Sequence, residues 1–178
     1  MALSREQVVA GASSVLQDQG LSGLSMRRVA QHLGVQPGAL YYHVASKQEL
    51  LAEIAARILA GAAVPPGDPR RAARNLRTAL LGVRDGAEVV SFVHAFRPDA
   101  LGTLQDLPAL FAELPPREAR WAARALVHYV LGFVAEEQNH AELVRLEMLP
   151  GRPSDSDDAF EFGIAALTAG VVGRPTGT

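Results

Sequence analysis

Apolar residues recur at intervals of three and four along almost the whole chain and hardly ever alternate with polar ones. That is the spacing of one buried helical face and not of a half-buried strand, so the sequence predicts an all-α fold. Helix starts are written beside the stripes. Ser4 and Gln7 have capping-box spacing, and Val8, Ala12, Val15 and Leu16 then share a face, with Gly20 closing the first helix. Ser25 caps a second helix, Met26 to Leu33, whose stripe is Met26, Val29, Ala30 and Leu33, and Gly34 ends it. Pro37 suits the first position of a third helix running to about His43, because its missing N–H costs nothing there. Two short helices joined by a turn at Gly34 spell a helix-turn-helix. Ser46 and Glu49 repeat the box spacing, and Leu50, Leu51, Ile54, Ile58 and Leu59 carry a fourth helix to about Ala62.

Pro65, Pro66 and Pro69 break that helix, since proline lacks a donor and biases its predecessor away from the α region. The expected division is a helix-turn-helix head of residues 1–47, a linking helix over 48–63 and a helical body over 64–178. In the body the pattern predicts helices near 69–83, 86–95, 98–112, 116–138 and 157–172. Between the last two, Pro150 to Asp158 is rich in proline, serine and aspartate and reads as a mobile connector. With 178 residues, 48% of them hydrophobic, the chain can bury a sizeable core. It has no cysteine, which removes disulfide frameworks and fits a reducing compartment. Arg5 and Glu6 come too early for a signal peptide and no apolar run approaches the roughly 18 residues of a membrane span. The expectation is a cytoplasmic protein with no membrane partner.

Charge is unevenly spread. Residues 1–47 carry Arg5, Arg27, Arg28 and Lys47 against Glu6 and Asp18, a net of +2, while the remaining thirteen basic and seventeen acidic residues leave −4. A mildly basic head on an acidic body offers one end to an anion. Tyr41 and Tyr42 are neighbours on a helix of barely two turns, so they point about 100° apart and at least one ring must face outward. Tyrosine hydroxyls, lysine and the free N–H groups of a helix start all donate to phosphates, and the major groove, about 12 Å wide, accepts one helix. Arg27, Arg28, Tyr41, Tyr42, His43 and Lys47 are therefore candidate contacts to double-stranded DNA, and Ser25, Gln36, Pro37 and Gly38, at the starts of the two short helices, complete the candidate set.

Residues 4–60 resemble the DNA-binding domain of the tetracycline repressor family in Leu24 to Ala30, Leu33 to Val35, Leu40 to Val44, Lys47, Leu50 and Leu51. A thinner likeness continues in Arg84 to Ala87, in Leu131, Gly132 and Glu136 to Gln138 with His140, and in Ser156 to Asp158 before Phe160 to Gly163, which is similar to the branch sharing the tetracycline repressor C-terminal domain. The resemblance implies a homodimeric repressor, released from a pseudo-palindromic operator by a small molecule. It puts Arg27 where the family reads a guanine, and Tyr41 and Lys47 on phosphate-contacting positions. Pro37, Gly38 and Ala39 depart from the family's recognition helix, so the operator sequence does not carry over.

In the body, Phe92, Phe96, Leu101, Phe111, Trp121 and Phe133, with His94 and Glu136 as polar anchors, are expected to form an apolar chamber for a small apolar or aromatic effector. Glu136 and His140 share a helix face but do not complete a coordination shell, so no metal and no cofactor is expected. By resemblance Glu136 matches a glutamate that meets the magnesium of bound tetracycline through water, yet Ala63, Ala72, Leu76 and Val90 stand where that branch supplies polar or aromatic contacts. The resemblance therefore implies a ligand other than magnesium-tetracycline. No nucleophile motif or glycine-rich phosphate loop is present, which argues against an enzyme. Small apolar residues in the helix from Pro116 and at Gly163, Ala165, Ala166, Leu167 and Ala169 predict a two-fold helical interface between copies of the chain.

Overall fold

The computed structural model describes residues 3–151 and 155–172. The helices are α1 (Arg5–Gly23), α2 (Met26–Leu33), α3 (Pro37–Tyr41), α4 (Lys47–Ala60), α5 (Pro69–Leu81), α6 (Gly86–Phe96), α7 (Gly102–Gln105), α8 (Pro116–Arg145) and α9 (Ser156–Val172), with 3-10 turns at Pro98–Ala100 and Leu107–Phe111. Among the described residues there is no strand, as the helical period predicts.

Start signals read from the sequence are used. At α1 the Ser4 hydroxyl accepts the Gln7 N–H at 3.2 Å and the Gln7 side chain accepts the Ser4 N–H at 2.8 Å. Ser25 accepts from Arg28 N at 3.3 Å, and Gly34 closes α2 in the left-handed region at φ 66°. At α4 only half of the expected box forms. Ser46 accepts from Glu49 N at 3.1 Å, but the Glu49 carboxylate turns to Ala45 N at 2.7 Å and to Arg5 at 2.7 Å. Arg5 also reaches Glu53 at 2.6 Å and the His43 carbonyl at 3.0 Å, which ties α1 to the turn before α4.

Several boundaries differ from expectation. Gly20 interrupts α1 as expected, its backbone leaving the helical region at φ 71° and ψ 177°, but a further turn follows it to Gly23. The third helix stops at Tyr41, and Leu40 O takes the N–H groups of both His43 and Val44 at 2.9 Å in a closing turn. α4 ends at Ala60 rather than Ala62, and α5 ends at Leu81. The single helix expected over 98–112 is two 3-10 turns around the short α7. Leu101, Leu104, Leu107 and Leu110 are all buried, and a spacing of three matches the 3-10 period, while Pro108 removes a donor that a continuous helix would need. α8 runs on to Arg145, where Arg145 pairs with Glu142 one turn back. Of the connector expected to be mobile, 152–154 lie outside the described residues, and Ser156 to Asp158 form the first turn of α9.

α4 packs against α1 on one side and against α5 and α6 on the other, so its buried face, Leu50, Ile54, Ala55, Ile58 and Leu59, belongs to one continuous core. α5, α6 and α8 enclose the remainder, and α9 lies across α5 and α8. Phe160 of α9 is fully buried, stacked on Tyr129 at 5.6 Å and edge-on to Phe133 at 5.1 Å. Burying a side chain of that size is worth about 1.5–3 kcal/mol and anchors α9.

Candidate nucleic-acid interface and regulatory grooves

The helix-turn-helix presents one uncommitted strip. Tyr41 is 52% and Tyr42 88% exposed, whereas Leu40 between them and α2 is fully buried and holds α3 down. Tyr42 meets the His43 ring edge-on at 5.2 Å, which limits the rotamers of both. Arg27, Gln36, Pro37 and Gly38 are exposed, and Lys47 is half-buried at the first position of α4. Among the described residues, no hydrogen bond or ion pair occupies the side chains of Arg27, Tyr41, Tyr42 or Lys47. Two of the sequence candidates have structural work: Ser25 caps α2, and Arg28 donates to the Gly23 carbonyl at 2.9 Å.

In the regulatory half the eight candidate ligand residues do not line one chamber. Leu101 and Phe111 are core, while Phe92 and Phe96 lie half-exposed against each other at 5.0 Å, flanking the buried stripe of Val89 and Val93 on α6. Trp121 is half-exposed with Arg117 over its ring at 4.6 Å. The centre of the bundle, lined by Leu59, Leu76, Leu80, Val90, Leu104, Val127, Val130 and Leu131, retains a void of only about 10 Å³. Aliphatic side chains fill it because Leu76 and Val90 project no polar group that would need room for a partner. Candidate residues line two grooves of this half outside it among the described residues. One, about 370 Å³, lies between α8 and α9 and takes Phe133, Glu136 and His140. The other, about 640 Å³, lies between α6 and α8 and takes Phe92.

His94 lies near His128, ring centres 6.4 Å apart, and its Nδ1 is buried with no hydrogen-bond partner among the described residues. Burial first, and then the charges of His128 and Arg124, hold its pKa below the ordinary imidazole range. The unfolded chain takes up that proton more readily, so the stability His94 contributes is full above the ordinary range and lost as pH falls through it. The urea midpoint of the wild type is expected to fall between about pH 7 and about pH 5 more steeply than that of His94→Leu. Parallel profiles would remove His94 as the cause.

Sequence reasoning missed the contacts that join the two halves. Asp85, itself left-handed at φ 56°, accepts the Leu21 N–H at 2.6 Å. Arg84 donates to the Asp18 carbonyl at 2.9 Å, and its backbone N–H reaches Gln17 at 3.1 Å. Gln138 of α8 braces the turn, bonding Val83 O at 2.7 Å, Leu80 O at 3.1 Å and Ala87 N at 3.1 Å. Glycine is required twice here. A Cβ at Gly20 would sit 2.8 Å from the Asp85 carboxylate besides demanding a positive φ, and one at Gly86 would sit 2.4 Å from Leu80 O. The signal in the sequence was the run Arg84, Asp85, Gly86, whose partners in α1 lie more than sixty residues away.

The family description "Bacterial regulatory proteins, tetR family" matches residues 8–54, and "Tetracyclin repressor-like, C-terminal domain" matches residues 68–153. The chain belongs to the tetR family. It is 32% identical to the tetracycline repressor protein class G of Vibrio anguillarum, over 94% of this chain and 93% of that one. Its fold is similar to BioQ crystallised with its double-stranded DNA operator, at a TM-score of 0.79 and 33% identity, covering 97% of this chain and 99% of that one. The tetR family protein ActR of Streptomyces coelicolor, crystallised with (S)-DNPA, superposes at a TM-score of 0.81 with 25% identity, covering 97% of this chain and 96% of that one. This tetR family member is a ligand-responsive DNA-binding transcriptional repressor. No described helix is long and apolar enough to cross a membrane.

Proposed function

We propose that the chain acts in the cytoplasm as a non-enzymatic homodimer that grips a pseudo-palindromic operator with its head, residues 1–47, and lets go when its body, residues 64–178, binds a small aromatic effector. The observation that carries this reading is the exposed strip on and beside α3, where Tyr41, Tyr42, Arg27 and Lys47 are accessible and have no partner of their own among the described residues. In this reading Arg27 and Gln36 face base edges, Tyr42 and His43 enter the groove, and Tyr41, Lys47 and the N–H groups at the start of α4 hold phosphates. Ser25 and Arg28 set the angle of α2 instead. Dimerisation covers the outer face of α9, where Phe162 is 77% exposed and Ala166, Ala169 and Gly170 allow close approach. Two heads related by a two-fold axis then meet half-sites about 34–36 Å apart, or somewhat more.

The operator is to be found by selection from random duplexes, and Lys47→Ala is then compared with wild type across a salt series. Affinity should fall for all duplexes alike, and the slope of log affinity against log salt should flatten by about one charge for each phosphate that Lys47 no longer neutralises, two per dimer. An unchanged slope means that Lys47 touches no phosphate, and failure to select any sequence from the random pool overturns the reading.

A further inference from the structure

The larger groove touches both halves of the molecule. It opens between α6 and α8 where the end of α1 arrives, and its volume of about 640 Å³ lies in the range of sites that take a drug-sized molecule. Leu21 of α1, Asp85, Glu88 and Phe92 on the α6 side, and His128 and Gly132 on the α8 side form its walls. Gly132 borders open space, since a Cβ there would meet nothing within 4 Å. Phe92 is 48% exposed and gives the groove an aromatic wall. Among the described residues no lysine or arginine lines the groove, while two carboxylates do. Glu88 makes no hydrogen bond or ion pair among the described residues.

We propose that this groove is the effector site and that it takes an aromatic compound carrying an ammonium group; the proposal rests on the reading of the chain as an effector-responsive operator-binding protein. The ring system covers the apolar wall at Leu21 and Phe92, and the ammonium lies between the Glu88 and Asp85 carboxylates, where charge-assisted hydrogen bonds replace its lost water. A carboxylate in the same place meets two like charges. The site also contains its own link to the head. Asp85 lines the groove and holds the Leu21 N–H at 2.6 Å, and Leu21 lines it too, so a cation drawing on Asp85 binds the latched and unlatched arrangements of α1 with different affinity. Such a difference is what a shift between two states requires.

Naphthylmethylamine, naphthylmethanol and naphthylacetate are titrated into the full chain without DNA, with binding followed by calorimetry and by NMR line broadening of the aromatic probe. The amine should bind roughly tenfold more tightly than the alcohol, about the effect of one charge-assisted hydrogen bond, and the acetate most weakly. Glu88→Gln should remove that preference and leave the alcohol unchanged, while Ser91→Trp, which fills the groove from α6, should block all three probes at an unaltered unfolding midpoint. The amine should also release the wild type from its selected operator. Equal binding of amine and alcohol, indifference to Glu88→Gln, or loss of amine binding in Glu136→Gln instead, which would move the site to the groove between α8 and α9, overturns the proposal. If operator binding holds and the amine does not bind, the groove alone is wrong. If the amine binds as described but no operator can be selected, the repressor reading is wrong and the site stands.

Discussion

Arg27→Ala is expected to relax base preference at a single position in each half-site and to cost about 1–3 kcal/mol there, or about 2–6 kcal/mol for a dimer that makes the contact twice. The side chain is exposed at the second position of α2, with no hydrogen bond or ion pair to hold it among the described residues, so its removal leaves the head's core untouched. Repeating the duplex selection with the variant reads the effect directly. Non-specific binding should change little, which separates Arg27 from Lys47, whose removal weakens binding to every sequence. An unaltered preference at all positions of the half-site would reject Arg27 as a reader of bases.

The second large effect is on stability. Arg77 of α5 and Glu137 of α8 form a two-point ion pair with bonds of 2.8 and 2.6 Å, and their side chains are only 15% and 10% exposed. Arg77 also reaches Asp157 of α9 at 2.6 Å and lies over the Phe160 ring at 4.6 Å, so one guanidinium fastens three helices. Its pKa is raised, chiefly by the hydrogen bonds it donates to Glu137. Arg77→Met should remove the two hydrogen bonds that tie the largely buried Glu137 carboxylate to α5, leaving it the Ser156 hydroxyl at 2.8 Å, and cost about 1.5–3 kcal/mol in urea unfolding. The double variant Arg77→Met, Glu137→Leu should recover much of that, because two apolar side chains need no compensation for lost water. A single variant within about 0.5 kcal/mol of wild type would show that water already screens the pair.

Nearly every helix was legible in the sequence because its signals are local. Ser4, Ser25 and Ser46 each accept a backbone N–H one turn on, and a cap of that kind depends on three or four successive residues. The exception, residues 98–112, failed for a reason also written there: a leucine every third residue fits a 3-10 turn better than an α-helix, and apolar spacing taken alone does not separate the two. The exposed aromatic strip beside α3 could likewise be read in advance, since adjacent tyrosines on a short helix cannot both be buried whatever the rest of the chain does.

What the sequence by itself determined is therefore what depends on near neighbours: the helical class, the caps, the helix-turn-helix and its outward aromatics. Only the tertiary structure decided which of the body's aromatics share a cavity. Phe92 and Phe133 ended in different grooves, and Leu101 and Phe111 went into the core, because those fates depend on which helix packs on which face. It alone brought Asp85 to Leu21, and Arg77 to Glu137 and Asp157. An ion pair or latch across sixty or eighty residues leaves no periodic trace in the chain; it exists only once the entropy of bringing those segments together has been offset by burying the core between them.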